Sequence, residues 1–495
     1  MTETMRPSLS TGTKSPGRFR WIILSMLFVG ITINYVDRIV ITLVFTPAFK
    51  LQYGITPEQW GYIGAAFAIA YAFGQIASGW MLDKIGTRLG YSLSLLLWSI
   101  CAMLTALGGG WISFAIFRAM LGVAESPSYP GAAKICAEWF PQRQRSYAFG
   151  WVNAGANMAA IVTPLVVPWL AIRYGWQAAF IWTGAMGLVL LLFWFPIYRR
   201  PENHPMVSAS ELALIQSDPP EPTAKVPWVK VILYRQAWVF MAGKVLSDGI
   251  WWFFVTWIPT FLYGPPYNVD LKNIGWPLVT IYLMADAGAV GGGLLSSFLI
   301  RRGTTVNRAR KITMFISGCC AVPIIFAPYI HDLWSVVLIV GLAVAGHQGY
   351  SSNLYTVCSD LFPKRMVASV AGIGGFCGYM GASAFQIFTG KWVQITHNYY
   401  GPFLCAGVAY LVSLAVMHVL SPRFQPADPG KDMPMTDAIR NRIALGIGVA
   451  GACVANLLFV VTTGDGPGLK LGALLTLLGA IVFGGVTRLI LRFMK

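Results

Sequence analysis

Asn34-Tyr35-Val36-Asp37-Arg38 sets an acid beside an arginine inside an apolar run from Trp21 to about Pro47. That run is long enough to cross a bilayer. An ionisable side chain at such depth is expensive, and it is normally kept only where it faces a bundle interior or a water-filled cavity. The fourth apolar run repeats the feature with Arg118 and Glu125. Two acids and two arginines inside membrane segments point to a proton-coupled carrier for an organic anion.

Composition agrees. The chain has 495 residues, 56% hydrophobic and 11% charged, with a mean hydropathy of +0.61. A soluble domain carries about 25% charged residues. The net charge of +17 is not a nucleic-acid footprint, because the basic residues cluster between apolar runs and no basic domain stands apart from them. The eight cysteines form no CxxC pair and no metal-ligand spacing, so they read as small apolar packing residues. No cofactor or metal is expected. A cleavable leader is not expected either, since the first apolar run is too long for one.

Apolar segments fall at roughly 21–47, 58–82, 90–108, 111–136, 147–171 and 177–198, then at 236–263, 274–300, 312–330, 334–361, 366–393 and 402–420. A polar linker, 199–235, separates the two sets, and a second, 421–442, precedes two further runs at 443–463 and 470–488. The predicted fold is an all-α membrane protein of two six-helix halves, with a C-terminal hairpin (443–495) that makes fourteen spans. Loops on one side hold sixteen Lys and Arg residues, against Lys50, Arg173 and Lys272 on the other. The rich side is expected to be cytoplasmic, with the 1–20 tail and the C-terminus on it, in an inner (plasma) membrane.

The loop after the second segment reads Gly79-Trp-Met-Leu-Asp83-Lys84-Ile-Gly86-Thr-Arg88. Its glycines allow close helix approach and a tight turn, and Asp83 can pair with cytoplasmic basic groups. The corresponding loop, Gly293 to Gly303, has Ser297 where an acid would stand, which predicts a degenerate second latch. Asp37 and Arg38, as neighbours, point about 100° apart on a helix, so one can face a cavity while the other faces an adjacent helix. A purely structural buried pair is the alternative. Arg118 and Glu125, seven apart, share one helix face. Glu125 precedes Pro127 and Pro130, where irregular backbone can line a cavity and a carboxyl can bind and release a proton.

These motifs resemble the major facilitator superfamily, in its anion:cation symporter branch. The stretch from His347-Gln348 through Asn353 to Gly375 resembles the hexuronate transporters in particular. The resemblance covers about residues 18–420. It implies that Asp37 and Glu125 are linked to protons, that Arg38 holds the substrate carboxylate and that Tyr71 lines the site. It also implies that the Gly79, Asp83, Gly86, Arg88 loop is a conformational latch. Arg38 suits its role, since guanidinium grips carboxylate with two hydrogen bonds and keeps its charge. Tyr35, Arg118, Asn157, His347, Gln348 and Asn353 complete the expected binding set, although a lone intramembrane histidine or asparagine equally often bonds helix to helix. Asn153 reads as packing. Trp251, Trp252 and Trp257 could stack on a sugar face, but aromatics in membrane helices are mostly packing or interface belts.

Segment five lacks the Gly-Pro pattern common in drug/proton antiporters, and no phosphate loop, HExxH or nucleophile elbow is present. The expected activity is therefore not enzymatic. It is proton-coupled import of a sugar acid such as glucuronate or galacturonate by alternating access, by a monomer whose partners are the anion, protons and lipid. Uptake or exchange of an aldonate, glucarate or sialic acid is the nearest alternative, and a non-transporting sugar-acid sensor is another.

Overall fold

The computed structural model describes residues 17–218, 231–232, 234–362 and 364–424. The predicted runs at 443–463 and 470–488 lie outside the described residues. Among those described, all regular structure is helical. A first group comprises α1 Phe19–Val44, α2 Pro47–Gln52, α3 Pro57–Leu104, α4 Trp111–Glu125, α5 Ser128–Trp139, α6 Gln142–Tyr174 and α7 Trp176–Ile197. In the linker lies α8, Ala209–Ile215. The second group comprises α9 Arg235–Tyr263, α10 Gly275–Arg301, α11 Val306–Ala321 with the 3₁₀ turn Val322–Tyr329, α12 Leu333–Leu361, α13 Lys364–Thr396 and α14 Tyr400–Leu420.

Helices dominate because hydrocarbon offers backbone groups no partner, so each spanning segment must satisfy its own. Nine helices among the described residues are long and apolar enough to cross a membrane. One of them, α3 with its following turn, contains two predicted segments. They are joined at Gly86, whose φ of +79° is a conformation that a side chain disfavours. The fourth predicted segment is broken between α4 and α5 at Ser126 and Pro127. Large apolar side chains such as Trp169, Leu192, Phe193, Leu294 and Phe326 are exposed on the bundle's flanks. A soluble protein would bury such a belt, whereas lipid accepts it.

The linker is not a passive tether. Glu211 of α8 is fully buried and accepts from the backbone N–H groups of Phe19 and Arg20 and from the Arg20 guanidinium, at 3.1–3.2 Å. A carboxylate there caps the otherwise unsatisfied start of α1 and complements its dipole.

The two groups meet along α1–α9, α3–α13 and α6–α10. They close tightly at the end of the bundle that carries α2. There Lys50 Nζ donates to Thr260 Oγ1 at 2.9 Å, Tyr263 Oη donates to the Leu43 carbonyl at 2.7 Å, and Lys391 approaches Glu58 at 3.9 Å. Backbones also touch, since a Cβ on Gly61 would sit 2.5 Å from the Gln386 carbonyl oxygen, and one on Gly390 2.7 Å from that of Pro57. Toward the Asp83 end the contacts thin to Phe73 against Phe376 and Gln75 against Gly375. Beyond these Tyr355 and Val245 are exposed. Among the described residues the two groups thus meet most tightly at the α2 end.

The Asp83 loop is held by bonds within the first group. Asp83 pairs with Lys134 of α5 at 2.9 Å, and Arg88 donates to the Phe195 carbonyl at 2.9 Å. In the second group Ser297 is exposed, and an ion pair stands nearby. Arg310 of α11 meets Asp360 of α12 at 3.2 Å and donates to Ser296 at 2.8 Å. The charge has moved from the loop to the helix ends.

Two outcomes follow from the closed end. Gly61→Leu cannot keep the backbone contact, so spin labels on Leu51 and Lys272 are expected to move apart. An unchanged distance distribution would show that α3 and α13 tolerate the bulk elsewhere. Burial over the Trp60 ring also lowers the Lys50 pKa to about 7. The closed form then binds fewer protons than an open form with Lys50 in water near pKa 10.4. Closure is therefore weakened as pH falls from about 10 to about 7 and is insensitive to Lys50 below that. The same labels should report more open form at pH 7 than at pH 9, and Lys50→Met should flatten that difference.

Candidate functional site

The centre of the first group is built around Arg38, which is 1% exposed. Its Nε donates to Glu125 Oε2 at 2.5 Å, Nη2 to Asn34 Oδ1 at 2.9 Å and Nη1 to Tyr379 Oη at 3.2 Å. The cation lies 4.6 Å from the ring centres of both Tyr35 and Tyr71, and 5.6 Å from that of Phe67. Three acceptors and three aromatic faces replace the water that the guanidinium gave up. One acceptor, Tyr379, belongs to α13, so the cation ties the two groups together. The Tyr71 and Tyr379 rings are 4.3 Å apart.

Glu125 reaches Arg38 because α4 ends at it, and the break at Ser126-Pro127 turns the chain away. Its other oxygen, Oε1, is buried without a hydrogen bond. Arg118, one helix face along, caps the middle of α1 instead of a carboxylate. It donates to the carbonyls of Asp37 and Arg38 at 3.3 and 3.2 Å and stacks on Phe67 at 4.6 Å. Asp37 is 2% exposed, with neither carboxylate oxygen in a hydrogen bond of ordinary geometry. Thr183 of α7 stands beside it as a weak side-chain hydrogen-bond partner, and its charged neighbours are Glu125, Arg118 and Arg38. The adjacent acid and base thus diverge as their helical positions require, Asp37 toward α7 and Arg38 toward α3 and α4. A narrow gap just toward the α2 end is lined by Arg38, Thr42, Phe67, Arg118, Trp252 and Gln386.

The second group adds a pair that the sequence reading passed over. Lys244 and Asp248, one turn apart on α9, meet at 2.8 Å to Oδ1 and 2.7 Å to Oδ2, and Lys244 donates to Tyr355 Oη at 3.0 Å. The signal was in the sequence, a lysine and an aspartate at i, i+4 inside an apolar run. Asp286, half-buried on α10, and Tyr379 were likewise not singled out. Tyr379 carries no charge, and nothing in its local sequence marks it.

The remaining candidates scatter. His347 is buried in a helix-to-helix role, its Nδ1 3.0 Å from Tyr410 Oη and its ring stacked 5.0 Å from that of Trp251. It stands within electrostatic reach of Lys244. Gln348 and Asn157 are half-buried. Asn353 sits with Arg310 and the Gly292 and Gly349 carbonyls, between α12, α10 and α11, away from Arg38. Asn153 accepts from Tyr129 at 3.3 Å. Trp252 packs between Phe67 and Tyr379, and Trp257 donates to Gln386. Among the described residues no group of His, Cys, Asp and Glu could hold a metal.

Comparison with known proteins agrees with this architecture. The family model of the Major Facilitator Superfamily matches residues 27–386. The Hexuronate transporter of Escherichia coli K12 is 30% identical over 381 residues, 75% of this chain and 87% of its own. The D-galactonate transporter of Escherichia coli O6:H1 is 28% identical, covering 82% of this chain and 95% of its own. A probable galactarate/D-glucarate transporter of Escherichia coli K12 is 29% identical, covering 80% and 93%. Among solved structures, a bacterial homologue of the human lysosomal transporter Spinster, in an inward-facing and occupied conformation, superposes with a TM-score of 0.62. That match covers 96% of this chain and 97% of its own at 18% identity, so it speaks to the fold alone. Matched over most of its described length by one family model and folded accordingly, the chain belongs to the Major Facilitator Superfamily and is a multi-pass membrane transporter, not an enzyme.

Proposed function

We propose that this transporter imports an anionic sugar acid, a hexuronate foremost, together with one or more protons by alternating access. The observation that carries the reading is the buried Arg38–Glu125 pair beside Asp37, a buried acid in none of the ion pairs among the described residues. Arg38 is the anion clamp. Its Nη1 bond ends on a neutral tyrosine, a weaker acceptor than a carboxylate, so an incoming carboxylate can take that place. Glu125 and Asp37 are the proton-linked groups. With all members ionised, Arg38, Arg118 and Lys244 balance Asp37, Glu125 and Asp248. A monoanion entering such a site adds one negative charge in a low-dielectric space, where an unbalanced charge is costly. One proton on Glu125 or Asp37 restores the balance, and on Glu125 it also frees Arg38 Nε for the ligand. The names of the relatives, all sugar-acid transporters, support the substrate class.

In this reading the α2 end faces outward, and the structure is the inward-open form, with the basic loops and both termini cytoplasmic. The twelve segments form two six-helix halves that rock about the centre as a monomer in the inner membrane. The Asp83 loop latches the opposite state. The runs at 443–463 and 470–488 add a peripheral hairpin that serves assembly or stability.

Counterflow and uphill uptake in proteoliposomes, with labelled glucuronate and galacturonate, test this. A wild-type protein that exchanges neither substrate is not such a carrier. Arg38→Lys keeps the charge but cannot reach Glu125, Asn34 and Tyr379 together, so affinity should fall at least about tenfold, or roughly 1.4 kcal/mol. Near-normal affinity in that variant would remove Arg38 from the clamp role. Glu125→Gln resembles the protonated acid and should exchange substrate while failing to accumulate it against a gradient. Full accumulation by both Glu125→Gln and Asp37→Asn would place the proton path elsewhere.

A further inference from the structure

The ion pair on α9 stands across Tyr379 from the arginine centre. Gly378 is what lets it stand there. A Cβ at that position would lie 2.2 Å from Asp248 Oδ2, so the carboxylate occupies the space a side chain would fill. The next residue, Tyr379, hands its hydroxyl to Arg38 at 3.2 Å. Tyr355, which holds Lys244 at 3.0 Å, is half exposed and within electrostatic reach of Tyr35, whose ring covers Arg38. The central space therefore has two charged poles. One is Arg38 on α1 and the other is the Lys244–Asp248 pair on α9.

The poles differ in what they offer. An ammonium has three donors and no acceptor. Lys244 donates to Asp248 Oδ1 at 2.8 Å and to Tyr355 Oη at 3.0 Å, and lies 2.7 Å from Asp248 Oδ2, so its charge is committed to Asp248. Lys244 is also the deeper member, its side chain 5% exposed against 14% for Asp248. The more exposed member of the α9 pole is thus the carboxylate, ion-paired with Lys244, and as a carboxylate it only accepts. Sugar hydroxyls are donors and suit it. A second carboxylate on the ligand does not, because it would face a like charge where the dielectric is low and the neighbouring cation is already committed.

We propose that Asp248, held by Lys244, is the specificity residue that restricts this site to polyhydroxy monocarboxylates, the uronates and aldonates, and rejects sugar diacids. The monocarboxylate sits with its acid group at Arg38 and its hydroxyls toward Asp248. The inference rests on the sugar-acid reading above and sharpens it, for the relatives of this chain include transporters named for monoacids and for diacids alike.

Binding to the purified full-length transporter decides it, with galacturonate, galactonate and galactarate as probes at a pH where both galactarate carboxyls are ionised. Wild type is expected to prefer the two monoacids over galactarate by at least tenfold. In Asp248→Asn the repulsion goes and Lys244 gains a free donor, so the preference should shrink at least tenfold or invert. If that variant is misfolded, Lys244→Gln/Asp248→Asn leaves no unpaired charge and should bring the three ligands toward parity. Equal wild-type affinity for galactarate and galacturonate overturns the proposal while leaving a sugar-acid carrier intact. So does a preference unmoved in a folded variant that still binds galacturonate. Failure of wild type to bind any of the three overturns the sugar-acid reading as well.

Discussion

A guanidinium buried to 1% exposure has to be matched bond for bond, and the centre of this molecule is arranged by the matching of Arg38. The acid comes from α4, the amide from α1 itself, the hydroxyl from α13, and the aromatic faces from α1 and α3. A buried pair of this kind is weak evidence for stability, because desolvation offsets most of its Coulomb gain. Its value lies in being switchable. Protonate Glu125 or offer a carboxylate, and the partner set of Arg38 changes. One of those partners sits on the opposite group of helices, so a change at the cation is felt across the interface that must move.

Alternating access also needs an interface that closes without sticking. At the α2 end it is made of glycine backbones, one buried tyrosine hydroxyl and a lysine whose charge is marginal in the closed form. Such contacts depend on close fit more than on large apolar area. They are lost together once the backbones separate, which suits the opening of this end that the proposed mechanism requires. At the other end the ion pairs stay within each group, Asp83 with Lys134 in the first and Arg310 with Asp360 in the second.

Much of this was legible in the sequence, for physical reasons. Apolar length located the helices, and the break after Glu125 announced itself through Pro127. The depth of Asp37, Arg38, Arg118 and Glu125 in apolar runs marked the centre, since charge there needs a reason. Which partners they take was not legible. Arg118 could have met Asp37 through its carboxylate but meets it through the carbonyl, a choice made by helix rotation that no single sequence encodes. Asn353 resembled a site residue in its local stretch, yet three-dimensional packing gives it to Arg310 and two carbonyls. Tyr379 was invisible because it is an ordinary aromatic until α13 lies against α3. Lys244 and Asp248 were visible by the same criterion that exposed Asp37 and Arg38, and the aromatic run Trp251 to Trp257 drew the eye past them.

The two groups of helices contribute unlike chemistry to one cavity. The first holds acids with free oxygens, Asp37 and Glu125 Oε1, around a cation whose bonds can be exchanged. The second holds an acid and a cation paired with each other and fixed by Ser247 and Tyr355, with a histidine held by a tyrosine and a tryptophan. Asp37, in no ion pair among the described residues, could take a proton at little cost in existing bonds, whereas a proton on Glu125 would loosen its bond to Arg38. Discrimination belongs where the groups cannot rearrange, because a pole that yields to the ligand rejects nothing. In the proposed mechanism, exchangeable charge on one group of helices and fixed charge on the other would let coupling and selectivity be set by different helices, with Tyr379 between them.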